Sequence, residues 1–172
     1  MPVQIIQGNS VNNDFARSVF NNIITHPENP SELSWYYSSY TPDFALSHKK
    51  ALEPLARNSV APDWQLPMFG SSEVMRLSQL KGKVVLLEFW NKNCGYCISA
   101  VPKLNALAEK FPRKDFIVLG VNLHDRKEDV DSFYQKNRPN YRTVLDGGKV
   151  AEEYGIDAYP VVVLIDKQGK VI

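Results

Sequence analysis

The segment Val84-Val85-Leu86-Leu87-Glu88-Phe89-Trp90 is apolar at every position but one. A strand with one wet face alternates apolar and polar residues, so a run of this kind belongs in a strand covered on both faces. Two more such runs follow, Phe116 to Leu123 and Pro160 to Asp166. Helical patterns separate them: Tyr96 to Phe111, Lys127 to Asn137 with Val130, Phe133 and Tyr134 inward, and a short one from Lys149 to Tyr154. Short strands are expected at Val74–Leu77 and Tyr141–Asp146, and turns at Ser78–Gly82 and Lys167–Gly169. Strands alternating with helices imply an α/β domain on a largely parallel sheet with right-handed crossovers.

The character of the chain changes near residue 60. Residues 1–60 are rich in Asn, Ser and Tyr, and a helical lead-in is expected there. Val11, Phe15, Val19 and Ile23 recur at four-residue spacing, which draws a stripe on one helix until His26-Pro27 stops it. Ser31 to Tyr40 is a second helical candidate, and a third starts at Thr41-Pro42-Asp43 with Phe44, His48, Ala51 and Leu55 on one face. The expected division is therefore 1–60 as lead-in and 61–172 as the α/β domain.

Charge narrows the partners. Lys and Arg number 20 against 19 Asp and Glu, and no basic run is long enough for a nucleic-acid or membrane-surface patch. No stretch reaches the roughly 18 apolar residues that span a bilayer, so any membrane attachment is expected only through sequence absent here. Residues 1–8 lack the basic and apolar regions of a signal peptide.

The chain has two cysteines, Cys94 and Cys97, where the first apolar strand hands over to a helix. A thiolate at a helix N-terminus meets unpaired N–H groups and the positive end of the dipole, which lowers its pKa from about 8.5. The outer cysteine, Cys94, is then the nucleophile, and Cys97, one turn in, resolves the mixed disulfide. Competing readings fail on ligand count. An iron–sulfur cluster needs four ligands, and a c-type haem needs His where Ile98 stands. Zinc needs two further ligands, and His26, His48 and His124 form no spaced pair, so neither metal nor cofactor is expected. An inert structural disulfide stays open.

Glu88 contradicts the pattern of its own strand. A buried carboxylate costs several kcal/mol unless paired or functional, and burial raises its pKa toward neutrality. Six residues before Cys94, it is placed to take the proton of Cys97 during resolution. The alternative is an exposed edge position, or a pair with Lys83. Pro102 falls inside the helix after the dithiol, and Tyr159-Pro160 opens the third apolar strand with a candidate cis bond or an ordinary strand start.

Together these residues resemble the thioredoxin superfamily, most closely the TlpA-like, redoxin-type thiol–disulfide oxidoreductases of bacterial envelopes. The likeness covers about 61–172. It rests on Ala61-Pro62-Asp63-Trp64-Gln65-Leu66-Pro67, on Leu80 to Trp90, on Cys94-Gly95-Tyr96-Cys97, and on Glu88, Pro102 and Tyr159-Pro160 in matching places. It implies a thioredoxin-like fold, with a central mixed sheet flanked by helices, preceded here by the helical extension. Gly169 to Ile172 would begin a further strand, and the last strand and helix of that fold are expected to be truncated.

The resemblance also implies an activity: disulfide exchange with client proteins, most simply as a reductase recharged by a dithiol electron donor in the cell envelope or periplasm. Trp90, Gly95, Tyr96, Tyr159 and Pro160 would meet the client. The chain departs from the pattern at Asn93, where many members have Trp, and at Ala100, where cytochrome-maturation members carry Glu. Two alternatives share the fold. A peroxiredoxin-type peroxidase places Thr or Ser where Asn91 stands. A copper-binding assembly factor wants three residues between its cysteines and a later His.

Overall fold

The computed structural model describes residues 52–172 throughout and, before them, the strands Val3–Gly8 (β1) and Phe15–Phe20 (β2). Contacts divide the chain into two compact units, Met1–Ala51 and Leu52–Ile172. In the first, β1 and β2 pair antiparallel, with Gly8 opposite Phe15 and Val3 opposite Phe20. The helix expected through Phe15 and Val19 is therefore a strand. A four-residue spacing is also a multiple of the strand period, so it does not discriminate between the two, and Phe and Val favour a strand. Val11, Ile23 and the helical candidates at 31–40 and 41–51 lie outside the described residues. From Leu52 to Ala56, where the third candidate was to end, the chain is irregular.

The second unit is built on four strands: Val84–Trp90 (β5), Phe116–Asn122 (β6), Arg142–Val144 (β7) and Val161–Ile165 (β8). Their order is β7-β6-β5-β8, with β5–β6 and β6–β7 parallel and β5–β8 antiparallel. The sheet is mixed because β8 returns along the edge of β5. A small antiparallel ladder, Gln65–Pro67 (β3) with Val74–Arg76 (β4), precedes it. Three helices complete the unit: Gly95–Lys110 (α1), Lys127–Asn137 (α2) and Gly148–Glu153 (α3).

The alternation of β5 decides which layer each residue meets. Val85, Leu87 and Phe89 face a core with Leu119 and Val121 of β6, Trp64, and Val150, Ala151 and Tyr154 from α3 and its end. Leu86 and Trp90 face the opposite way, toward Cys97, Val101 and Leu104 of α1 and Val130 and Phe133 of α2. Leu87, Phe89, Leu119 and Val121 are all 0% exposed. At roughly 1.5–3 kcal/mol per fully buried apolar side chain, these central strands anchor the unit. Both parallel crossovers carry their helices to one face, which puts the start of α1 at the C-terminal end of β5.

At the end of the chain, Val171 and Ile172 begin to pair beside β8. The Val171 N–H donates to the Ser59 carbonyl at 2.9 Å and the Ile172 N–H to the Leu164 carbonyl at 2.9 Å. Gly155 marks another close approach of the chain. It has φ +70°, and a Cβ there would run into the carbonyl of Glu53.

Gly120 of β6 serves the polar layer beneath α1. It sits between Glu88 of β5 and Thr143 of β7 in register. An added Cβ would overlap the Thr143 hydroxyl and lie 2.8 Å from Trp90 Nε1. Gly120→Ala should therefore destabilise the unit by about 1–3 kcal/mol, the usual range for overpacking, measured by urea denaturation. A stability equal to the parent's would show that the layer can spread to admit a methyl group.

Candidate active site

Cys94 and Cys97 are joined in a disulfide, with Cα atoms 5.2 Å apart. Cys94 is the N-cap of α1, and its Sγ accepts a hydrogen bond from the Cys97 backbone N–H at 3.1 Å. A thiolate on this sulfur would face the free N–H groups of the first helical turn, the most favourable place in a helix for negative charge. The two sulfurs differ in access. Cys94 is partly exposed, whereas Cys97 is 1% exposed and packed with Trp90, Val101, Val130 and Phe133. Pro102 lies within α1 and has no N–H to give to the Ile98 carbonyl.

The loop into the dithiol is braced from β6, by residues the sequence did not single out. Asn122 is 0% exposed. Its Nδ2 donates to Asp125 Oδ2 at 2.7 Å, and its Oδ1 accepts from the Asp125 N–H at 3.1 Å. The same Asp125 oxygen accepts the Lys92 backbone N–H at 2.6 Å. Lys92 Nζ also reaches Asp129 Oδ1 at 3.1 Å, and Arg126 and Lys92 hold the Asp129 carboxyl below the usual carboxylate range. Asn91 closes the turn, its Oδ1 accepting the Asn93 N–H at 3.0 Å and its carbonyl the Cys94 N–H at 3.2 Å. An Asn inside an apolar strand was the available signal for this brace.

Glu88 is neither at an exposed edge nor paired with Lys83. It is 1% exposed, on the face of β5 shared by Leu86 and Trp90 and covered by α1. Lys83 Nζ instead donates to the Arg113 carbonyl. The Tyr141 hydroxyl donates to Glu88 Oε2 at 2.8 Å, while Oε1 has no hydrogen-bond partner among the described residues. Burial pushes the Glu88 carboxyl up to about 7, against a smaller opposing pull from the Tyr141 hydrogen bond.

The expected contact residues separate into two groups. Tyr96 is 80% exposed and Gly95 has open space around it, both in the first turn of α1. Tyr159 packs against the cluster of Trp90 and Cys97 that Cys94 also joins, and its bond to Pro160 is cis. Trp90 leaves the contact surface. It is 2% exposed, its ring centroid is 4.2 Å from that of Phe133, and its Nε1 donates to Thr143 Oγ1 at 3.2 Å. As the last residue of a strand covered on both faces, it supports the dithiol from below.

The raised Glu88 pKa carries a stability consequence. Between the ordinary carboxylate value of 4.5 and about 7, the folded state keeps a proton that the unfolded state has lost. Stability contributed by neutral Glu88 therefore falls as pH rises through that window. Glu88→Gln should lack this slope, so from pH 4.5 to 8 its stability should gain on the parent's by up to about 3 kcal/mol. Parallel stability–pH curves for the two proteins would mean that Glu88 does not titrate upshifted.

The comparisons agree with the geometry. Residues 58–172 match the model of the AhpC/TSA family. A thiol-disulfide oxidoreductase ResA from Geobacillus thermodenitrificans is 33% identical over 118 residues, 68% of this chain and 67% of that protein. The crystal structure of a putative thiol:disulfide interchange protein DsbE from Chlorobium tepidum superposes with a TM-score of 0.63 at 34% identity, covering 68% of this chain and 82% of the other. An exposed lipoprotein thioredoxin from Streptococcus pneumoniae gives 0.56 at 32%, covering 64% and 86%. The chain belongs to the AhpC/TSA family and is a thioredoxin-superfamily, redoxin-type thiol–disulfide oxidoreductase.

Proposed function

We propose that this protein reduces disulfides in client proteins through Cys94 and Cys97, with Glu88 as the acid/base group. The observation that carries the reading is the pairing of a partly exposed sulfur at the helix N-cap with a buried one behind it. The Cys94 thiolate attacks one sulfur of a client disulfide, forming a mixed disulfide and expelling the other client sulfur as a thiolate. Glu88 takes the proton from the Cys97 thiol, and the Cys97 sulfur attacks Cys94 Sγ. The second client sulfur leaves, and the two electrons the client gains leave Cys94 and Cys97 as a disulfide. A dithiol donor then restores the reduced pair by the same exchange in reverse.

The client is proposed to lie over Gly95 and Tyr96 and along the Tyr159-Pro160 loop. The exposed ring of Tyr96 and the half-buried Tyr159 beside the dithiol cluster support this. We assign the chemistry to residues 61–172, with 1–60 as a lead-in whose last residues, from Leu52, belong to the same compact unit. A place in the bacterial cell envelope is supported by the likeness to a lipoprotein described as exposed.

Cys94→Ser should abolish reduction of insulin disulfides, measured by turbidity. Cys97→Ser should also lose turnover but accumulate a mixed disulfide through Cys94, detected by mass spectrometry. Loss of activity in Cys97→Ser with no trapped adduct would reverse or remove the assigned roles.

A further inference from the structure

Beneath α1, besides the cysteines, lies a buried polar layer across β5, β6 and β7. Glu88, Trp90 and Thr143 contribute to it from the sheet, Tyr141 from the position just before β7 and Tyr134 from α2. The cysteine chemistry by itself has no need of Tyr141. This residue is 6% exposed, packed with Leu86, Leu104 and Val118, and 53 residues from Glu88 in sequence. Its carbonyl accepts the Tyr134 hydroxyl at 2.8 Å, so its backbone as well as its ring is held.

We infer that Tyr141 is a positioning residue for the dithiol chemistry: its hydroxyl pins Oε2 of Glu88 and leaves Oε1 as the oxygen that exchanges a proton. The inference rests on the acid/base reading of Glu88 given above. A carboxyl group with two unrestrained oxygens can rotate and present either one, and a buried acid that does so has no fixed distance to its proton donor. One donor on one oxygen removes that freedom. The phenol is suited to the task, because burial and the neighbouring carboxylate both push its own ionisation upward and keep it a donor.

The groups facing Glu88 are few. From α1 the buried side chains are Cys97, Val101 and Leu104, of which Cys97 alone titrates. β6 presents Gly120 and β8 presents Val162 in register with it. Tyr134 of α2 is itself pushed up to about 12, chiefly by burial. No cationic side chain is among these facing groups, so Tyr141 supplies the hydrogen bond that favours the charged form of Glu88.

The test uses the reduced full chain and an aromatic disulfide that releases a coloured thiolate at each exchange. The first release reports attack by Cys94, and the second reports resolution by Cys97. The second rate should rise with pH as Glu88 ionises, with a midpoint near 7 in the parent. In Tyr141→Phe the midpoint should move up by about one pH unit, since the carboxylate loses its donor. In Glu88→Gln the step should vanish, and adding Tyr141→Phe to it should change nothing more.

The failures are distinguishable. If Glu88→Gln keeps the step, the acid/base reading itself fails. If Glu88→Gln removes the step while Tyr141→Phe matches the parent, the inference about Tyr141 alone is overturned. Should Tyr141→Phe not fold, the parent answers by NMR. The Tyr141 ring signals and the Glu88 carboxyl carbon should then titrate with one midpoint, and separate midpoints would overturn the inference.

Discussion

A carboxyl group held inside an apolar sheet is the constraint around which this domain is arranged. Its ionised form is expensive wherever water is excluded, so the fold must either hydrogen-bond it or keep it protonated near neutrality. Here it does part of each. Tyr141 satisfies one oxygen, and burial keeps the group close to the balance point between its two forms. Gly120 lacks a side chain where one would overlap Thr143, and Trp90 reaches that same hydroxyl. An apolar residue at 88 would be easier to bury, and the acid/base role proposed for Glu88 accounts for that expense.

The dithiol is arranged around a difference between two sulfurs. One helix turn separates them, yet the N-cap position exposes Cys94 to solvent and to the helix N–H groups while Cys97 is sealed against Trp90. The approach to that N-cap is held by Asp125, which receives Asn122 and the Lys92 backbone on one oxygen. Chain geometry and hydrogen bonding therefore make Cys94 the accessible sulfur and keep Cys97 behind it.

Much of this domain was legible from periodicity. The apolar runs at β5, β6 and β8 and the apolar spacing of α2 each have a length and flanks that exclude other elements. The mixed character of the sheet was implied only by the resemblance, since alternation of strands and helices does not reveal that β8 returns antiparallel. The pattern at Phe15 and Val19 misled because strand and helix share that spacing. Strand β3 was missed because Gln65–Pro67 is three residues ending in proline, too short for any period to register. Glu88 and the cysteines were legible because they break local rules. Tyr141, Thr143 and Asp125 were not, since an ordinary Tyr, Thr or Asp becomes part of a site only through long-range strand register or a loop brace. Trp90 shows the converse error, a large aromatic beside a dithiol that the strand turns inward.

The measurement that tests the account most directly is the alkylation rate of each cysteine in the reduced protein across pH, resolved by mass spectrometry. The account predicts that Cys94 reacts with a midpoint below the ordinary thiol value of about 8.5, and that Cys97 reacts slowly throughout. Equal rates at the two cysteines with an ordinary midpoint, or faster reaction at Cys97, would contradict it.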